Sequence, residues 1–433
     1  MQNFLIVWLG QFASLLGSEM TSFAITIWAW EVTQQATPLS LILVVSQIPR
    51  LLISPFAGVW VDTFSRQRLM LIGDSVAGIS TVLLLVLLFS DNLQIWHLYA
   101  FGALNGLFGY IQQLAYSASL SLIVEEQHYT RVAALESLQL SGSYVIAPAA
   151  AGALYAIAGL SGVLLFDLTT FGCAVITLSL VCIPSPQPQS LQAQTNDAST
   201  FFQKITFGLR YLQNRPSLII FLSFLLIGSF IDSASFAILP AMVLARSNND
   251  STVWGTLLAF FGAGGLIGGA LISAWGGPKR QIHGVMAGSA FWKIGLIVLA
   301  LAQRTTLKIG TALFSGFCSP FPASCSQTIW RKQVDPALQG RVFSAQFLLT
   351  QIASPVGAAI AGPLADRVFE PAMQPNAPLA KVLGSLFGTG LGAGMAVQLA
   401  LFSTCGLAIA LGGYGIRQLR DVEIRDVETP PVE

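Results

Sequence analysis

The chain has 433 residues, of which 54% are hydrophobic and only 9% charged, with a mean hydropathy of +0.69. Soluble domains carry about a quarter charged residues, so this composition excludes a set of water-soluble domains and points to a polytopic membrane protein. The net charge of +1 comes from basic residues scattered over separate loops, which leaves no basic patch and no expectation of nucleic acid as a partner.

Apolar runs of around 20 residues, each long enough to cross about 30 Å of hydrocarbon as a helix, recur from end to end. Twelve membrane helices are expected, near 4–31, 38–61, 69–90, 95–123, 131–159, 161–183, 217–245, 252–275, 284–302, 307–330, 341–365 and 388–414. The first lacks a basic leader, and Gln11, Ser14, Ser18 and Glu19 interrupt its apolar run, so it reads as a membrane helix rather than a secretory signal. Together with Thr21, Ser22 and Thr26 these residues fill an arc of about 160° at helical spacing. A polar stripe on a membrane helix faces protein or a wet cavity, not lipid. Gln11, Ser18 and Ser22 are therefore candidate cavity residues, as is Arg50 within the second segment.

Between the second and third segments, "GVWVDTFSRQR" (58–68) gathers Asp62, Arg66 and Arg68 in one short connector. The segment 131–159 contains "SYVIAPAAAG" (143–152), in which Ser143, Ala147, Pro148 and Gly152 combine small residues for close helix contact with a bend-permitting proline. After the sixth segment the character changes: "PSPQPQSLQAQTNDAST" (184–200) is a polar linker. Phe202, Ile205, Leu209 and Leu212 then fall at helical spacing opposite Lys204, Arg210 and Arg215, predicting an amphipathic helix on the cytoplasmic membrane surface. The expected domains are residues 1–183, a linker with surface helix at 184–216, residues 217–414, and a tail at 415–433. Asp232 lies about as deep in its segment as Glu19 does in the first, and Lys293 is a second cation within a span.

With a cytoplasmic N-terminus, 14 of the 21 basic residues fall in inside segments and 5 in outside ones, with Arg50 and Lys293 within helices. This asymmetry places both termini in the cytoplasm of an inner or plasma membrane. The five cysteines, Cys173, Cys182, Cys318, Cys325 and Cys405, are scattered through apolar segments and read as packing residues. The sequence contains no G-K-[ST] phosphate loop and no H-E-x-x-H, and its three histidines lie near helix ends. An enzyme is not expected, nor a cofactor or metal.

The two halves are similar. "GSEMTSFAI" (17–25) recurs as "GSFIDSASFAI" (228–238), "VEEQHYTRV" (124–132) as "VDPALQGRV" (334–342), and "APAAAG" (147–152) as "SPVGAA" (354–359), at offsets between 207 and 213. Matching offsets in chain order predict a duplicated six-helix bundle, and they make Glu19 and Asp232 repeat mates.

Gly58, Asp62 and Arg66 match the G-x-x-x-D-x-x-x-R signature of the major facilitator superfamily in its usual loop, although Thr63, Ser65 and Gln67 replace its other elements. The chain resembles that family over nearly its whole length: an all-α membrane fold of twelve helices in two pseudo-symmetric bundles. The helix around Pro148 is similar to the efflux-branch motif G-x-x-x-G-P-x-x-G-G, and the whole looks like macrolide-efflux-like and enterobactin-exporter-like members. "GPLADR" (362–367) resembles the loop signature too, but parity places it outside.

The resemblance implies proton-coupled export of an amphipathic small organic molecule by alternating access, with uptake by symport and a non-transporting membrane sensor as alternatives. The expected partners are lipid, substrate and protons, with the protein a monomer. Glu19 and Asp232 are the proton-coupling candidates; alternatively they pair statically with Arg50 and Lys293, which could instead meet an anionic substrate. Asp62 is expected to rest on the N-terminus of the helix starting near Arg341, a contact of roughly 0.3–1 kcal/mol when exposed, as a conformational latch.

Overall fold

The computed structural model describes residues 1–181, 206–208, 210–336 and 338–423, and among them every regular element is a helix. The chain divides into two compact units, Met1–Ala198 with Ala237–Ala259, and Ser199–Phe236 with Phe260–Glu433.

The first unit begins with α1 (Gln2–Thr33), α2 (Ala36–Thr63), α3 (Arg66–Phe89) and α4 (Ile95–Ile123), within three residues of the expected bounds. The next helix, α5 (Tyr129–Leu180), runs through two expected segments. Its 52 residues would extend about 78 Å if straight, far beyond one crossing. Gly159 interrupts it at φ 62° and ψ −163°, a conformation open to glycine alone. The contacts give the direction of each arm. Before Gly159, Gly142 lies beside Phe12 and the Tyr155 hydroxyl donates to Glu31 at 2.6 Å, so this arm runs parallel to α1. After it, Gly17 lies against Asp167 and Thr170, and Gly10 against Thr177, so the second arm runs antiparallel. The chain therefore reverses at Gly159, and six helical segments go up and down through this unit.

In the other direction of the sequence come α6 (Pro216–Ala245) and α7 (Ser251–Trp275), each divided between the units, then α8 (Gln281–Leu301). The expected helix at 307–330 is in fact two, α9 (Thr305–Cys318) and α10 (Pro320–Gln333), because Pro320 and Pro322 remove two backbone donors. The expected helix at 341–365 is also longer. After α11 (Gln339–Leu364) a π-helical turn at Ala365–Phe369 carries it through Glu370–Ala372. The last expected helix, 388–414, starts later. A separate helix, α12 (Pro378–Phe387), precedes α13 (Ala393–Gly412), and Gly388, Gly390 and Gly392, at φ 78°, 99° and 85°, make the break.

Both units repeat the same close approaches. An added Cβ at Gly106 would lie 2.0 Å from the Ser46 carbonyl oxygen, and one at Gly316, 210 positions later, 1.9 Å from that of Phe261. Ser233 donates to the Ser354 carbonyl at 2.6 Å, joining α6 to α11 as α1 joins the first arm of α5.

Among the described residues nine helices are long and apolar enough to cross a membrane. Large apolar side chains such as Leu52, Phe89, Ile157, Ile176 and Leu180 stand exposed along them, as a lipid-facing surface requires and a soluble one does not.

Of the expected surface helix, Phe202, Lys204, Ile205 and Leu209 lie outside the described residues. Leu212 is buried with Leu218, Phe221 and Trp330, and Arg215 donates to the Gln333 carbonyl at 3.0 Å. Beyond α13, a short α14 (Arg417–Arg420) packs back on the second unit: Leu419 and Val422 are buried, and the Glu423 carboxylate accepts the Gln281 N–H at 2.8 Å, at the start of α8.

Candidate functional site

The polar stripe of α1 behaves differently along its length. Ser18 and Ser22 each lie within about 20° of Gln11 around the helix, yet Gln11 is buried while Ser18, Glu19 and Ser22 are exposed. At the level of Gln11, α3 and α4 close over the stripe; at the level of Ser18–Ser22 it is uncovered. Glu19 makes no ion pair or hydrogen bond with a described residue. The Arg50 guanidinium lies 5.1 Å from the centre of the Tyr110 ring, a cation–π arrangement. Arg50 makes no ion pair with Glu19.

Two buried acids in the same unit escaped the sequence reading. Asp74 on α3 is 2% exposed. Its carboxylate accepts from Gln11 Nε2 at 3.1 Å and from Gln112 Nε2 at 2.5 Å, and Gln112 Nε2 also reaches Gln11 Oε1 at 3.1 Å. Two turns further along α3, Thr81 donates to Asp167 at 2.8 Å. Neither acid has an ion-pair partner among the described residues. Each interrupts an apolar run, "LIGDSVAG" and "LLFDLTTF", and an ionisable residue within a span is itself a signal. The internal repeat drew attention to Glu19 and Asp232 instead.

In the second unit Asp232 is paired. Lys293 Nζ lies 2.5 Å from Asp232 Oδ1, and Trp292 Nε1 donates to the same oxygen at 2.9 Å. Lys293 is enclosed, with its side-chain carbons against Gly406. The Trp292 ring stacks on Phe236 and meets Phe261 edge-on, with centroids 5.8 Å and 5.3 Å away. A balanced ion pair beside three aromatic rings can seat a flat, amphipathic molecule.

The loop residues of 58–68 divide by role. Arg66 donates to the Ala118 carbonyl at 2.5 Å, and Gln67 to those of Leu178 and Val181 at 2.8 and 2.9 Å. These bonds tie the loop to the C-terminal ends of α4 and α5. Asp62 and Arg68 remain exposed, and nothing packs near Gly58. In the motif on α5, Ser143 and Ala147 are buried, and Pro148 and Gly152 meet the start of α7. A Cβ on Gly255 would lie 2.4 Å from the Pro148 oxygen, and Ser251 donates to the Gly152 carbonyl at 3.1 Å. The motif thus forms a close contact between these two helices. The look-alike "GPLADR" runs into the π-helical turn.

An all-helical chain with a lipid-facing surface and charged groups held inside its helices is that of a multi-pass membrane transporter. The family model described as Major Facilitator Superfamily matches residues 7–358, and the chain belongs to that family. Macrolide efflux protein A of Streptococcus pyogenes is 24% identical over 371 residues, covering 84% of this chain and 90% of that protein. The multidrug efflux pump Tap of Mycolicibacterium fortuitum is 21% identical, covering 82% and 88%. Among solved structures, a bacterial homolog of the human lysosomal transporter Spinster aligns with a TM-score of 0.68 at 12% identity, covering 99% of this chain and 98% of that one. The nucleoside transporter NupG aligns at 0.63 and 14% identity, covering 95% and 98%. The chain is thus a membrane transporter of that superfamily, and its curated relatives include efflux proteins.

Proposed function

We propose that the chain exports an amphipathic organic molecule of the macrolide, drug or siderophore class in exchange for protons, by alternating access. In this reading it crosses the membrane twelve times as two six-helix bundles, residues 1–183 and 217–414, joined by a cytoplasmic linker at 184–216. Both termini, including the tail at 415–433, are cytoplasmic, and the transporter works as a monomer. The efflux relatives support the direction of transport.

The observation that carries coupling is Glu19. It is an acid just past the middle of a membrane helix, exposed beside Ser18 and Ser22 and unpaired among the described residues. An exposed, unpaired carboxyl on a cavity wall can exchange a proton with whichever side it faces. At Asp232 a proton has first to displace Lys293, so Asp232 serves as the secondary candidate. Ser18, Ser22, Arg50 and, through its pair with Asp232, Lys293 remain the proposed cavity residues, with the rings of Trp292, Phe236 and Phe261 added on geometry, whereas Gln11, closed over by α3 and α4, is no longer among them.

The test is transport into inverted membrane vesicles with an acid interior, screened over macrolides, dyes and siderophores. Uphill accumulation that a protonophore abolishes is expected. Glu19→Gln should lose it while substrate binding persists. Accumulation only under the reversed gradient would assign symport instead, and undiminished uphill transport by Glu19→Gln would exclude that residue.

A further inference from the structure

We infer that Asp74, cradled by Gln11 and Gln112, is a proton-binding site inside the first unit, distinct from Glu19. The inference deepens the proton-coupled reading above and rests on it for its role in transport, though not for its existence.

A carboxylate removed from water needs a counter-charge or a full set of donors, and a lone buried one is costly. Asp74 has no cation. The groups that meet it are Gln11 from α1 and Gln112 from α4, both neutral amides. None of the titratable groups on α1, α2, α4 and α5, Glu19, Arg50, Tyr110, Tyr116 and Asp167 among them, bonds to it. On α3 itself, Arg66 is two turns away and engaged with the Ala118 carbonyl. A glutamine amide presents N–H to an ionised acid and, turned over, C=O to a neutral one. The cradle can therefore hold Asp74 with or without its proton. Gln112 is partly exposed and links the buried acid to the outside of the cluster.

The internal repeat makes the stronger case, because it supplies a control built into the same chain. Gly73 approaches Gln112, where an added Cβ would lie 2.7 Å from the Gln112 Cβ; 211 positions later Gly284 approaches Cys325 in the same way, at 2.3 Å from Sγ. The counterparts of Gln11 and Asp74 at that offset are Leu222 and Val285, while Cys325, 213 positions after Gln112, takes the place of Gln112 by its contact with the glycine. Leu222, Val285 and Cys325 are buried together in one apolar cluster. The second copy thus makes this helix contact with hydrocarbon and sulfur alone. Replacing a buried polar group by a well-packed apolar one is often neutral or stabilising, so packing does not require the triad of the first copy. A buried acid that the fold can do without, in only one of two copies, has a chemical use.

The measurement is infrared spectroscopy of the full-length protein in lipid vesicles, titrated with acid and base. The carbonyl stretch of neutral carboxylic acids should grow on acidification, with one band in it that persists in Glu19→Gln and Asp232→Asn and vanishes in Asp74→Asn. The triple variant Gln11→Leu, Asp74→Val, Gln112→Cys copies the second half. It should fold and melt at or above the wild-type temperature, lack the band, and lose uphill transport while retaining substrate binding. A band of wild-type size in either Asp74 variant overturns the inference, as does full uphill transport by the triple variant. If the band titrates but no substrate is driven by a proton gradient, the coupling reading fails and the site stands. If transport is gradient-driven and indifferent to Asp74, the coupling reading stands and the site fails.

Discussion

Asp232 and Lys293 differ in what they lose if separated, since the Lys293 side chain is 4% exposed and that of Asp232 42%. Asp232→Ala strands an ammonium with no route to water, a change that costs roughly 3–5 kcal/mol for a fully buried pair. Lys293→Met strands a carboxylate that can still hydrate. Melting of the purified variants should place Asp232→Ala well below Lys293→Met, with the double variant recovering part of the loss. Equal melting of both single variants would mean that the pair contributes no asymmetric desolvation. At this scale the sequence was informative about kind but not about partner. It marked Gln11, Glu19, Arg50, Asp232 and Lys293 as polar groups in apolar surroundings. It could not distinguish Glu19, which is exposed, from Asp232, which is paired, because these repeat mates have the same local pattern and different neighbours.

Helix ends show local chemistry at work. Asn248 and Asn249 take left-handed φ values of 54° and 63°, which asparagine tolerates. Asp250 then caps α7, accepting the backbone N–H groups of Thr252 at 2.8 Å and Val253 at 3.3 Å together with the Thr252 hydroxyl. The Thr252 hydroxyl above all, with those N–H groups, holds the Asp250 carboxyl below its ordinary 3.8. A group lowered by folding stabilises the fold above its unfolded value and loses that contribution as pH falls through the lowered one. Asp250→Ala should therefore cost about 0.5–1 kcal/mol near neutral pH, the low end for a cap because the residue is exposed. The gap in melting temperature between variant and wild type should narrow as the pH drops below 3.8. A gap independent of pH would show that the carboxylate is not the cap. The same scale explains the altered boundaries. Pro320 and Pro322 were legible as helix breakers within an apolar run, whereas the π-helical turn at Ala365–Phe369, between Pro363 and Pro371, was not foreseen.

For the molecule as a whole, Asp62 stands proposed as a conformational latch. The bonds of Arg66 and Gln67 to Ala118, Leu178 and Val181 already anchor its loop, so removing the exposed charge should leave folding intact. Asp62→Asn is expected to reach the membrane in normal amount and to transport poorly; wild-type transport by that variant would refute the latch. The amino-acid sequence by itself determined that the chain is a membrane protein and, to within three residues, where seven of its helices begin and end, and it marked a repeat between its halves. Those features follow from hydropathy, from glycine and proline, and from spacing along the chain, all of which are local. Only tertiary structure decided that Lys293 meets Asp232, that Gln11 turns inward while Ser18 on the same stripe stays open, and that Asp74 lies buried between two amides. Burial and pairing depend on which helices approach at a given depth, and the spacing of residues along one helix does not contain that information.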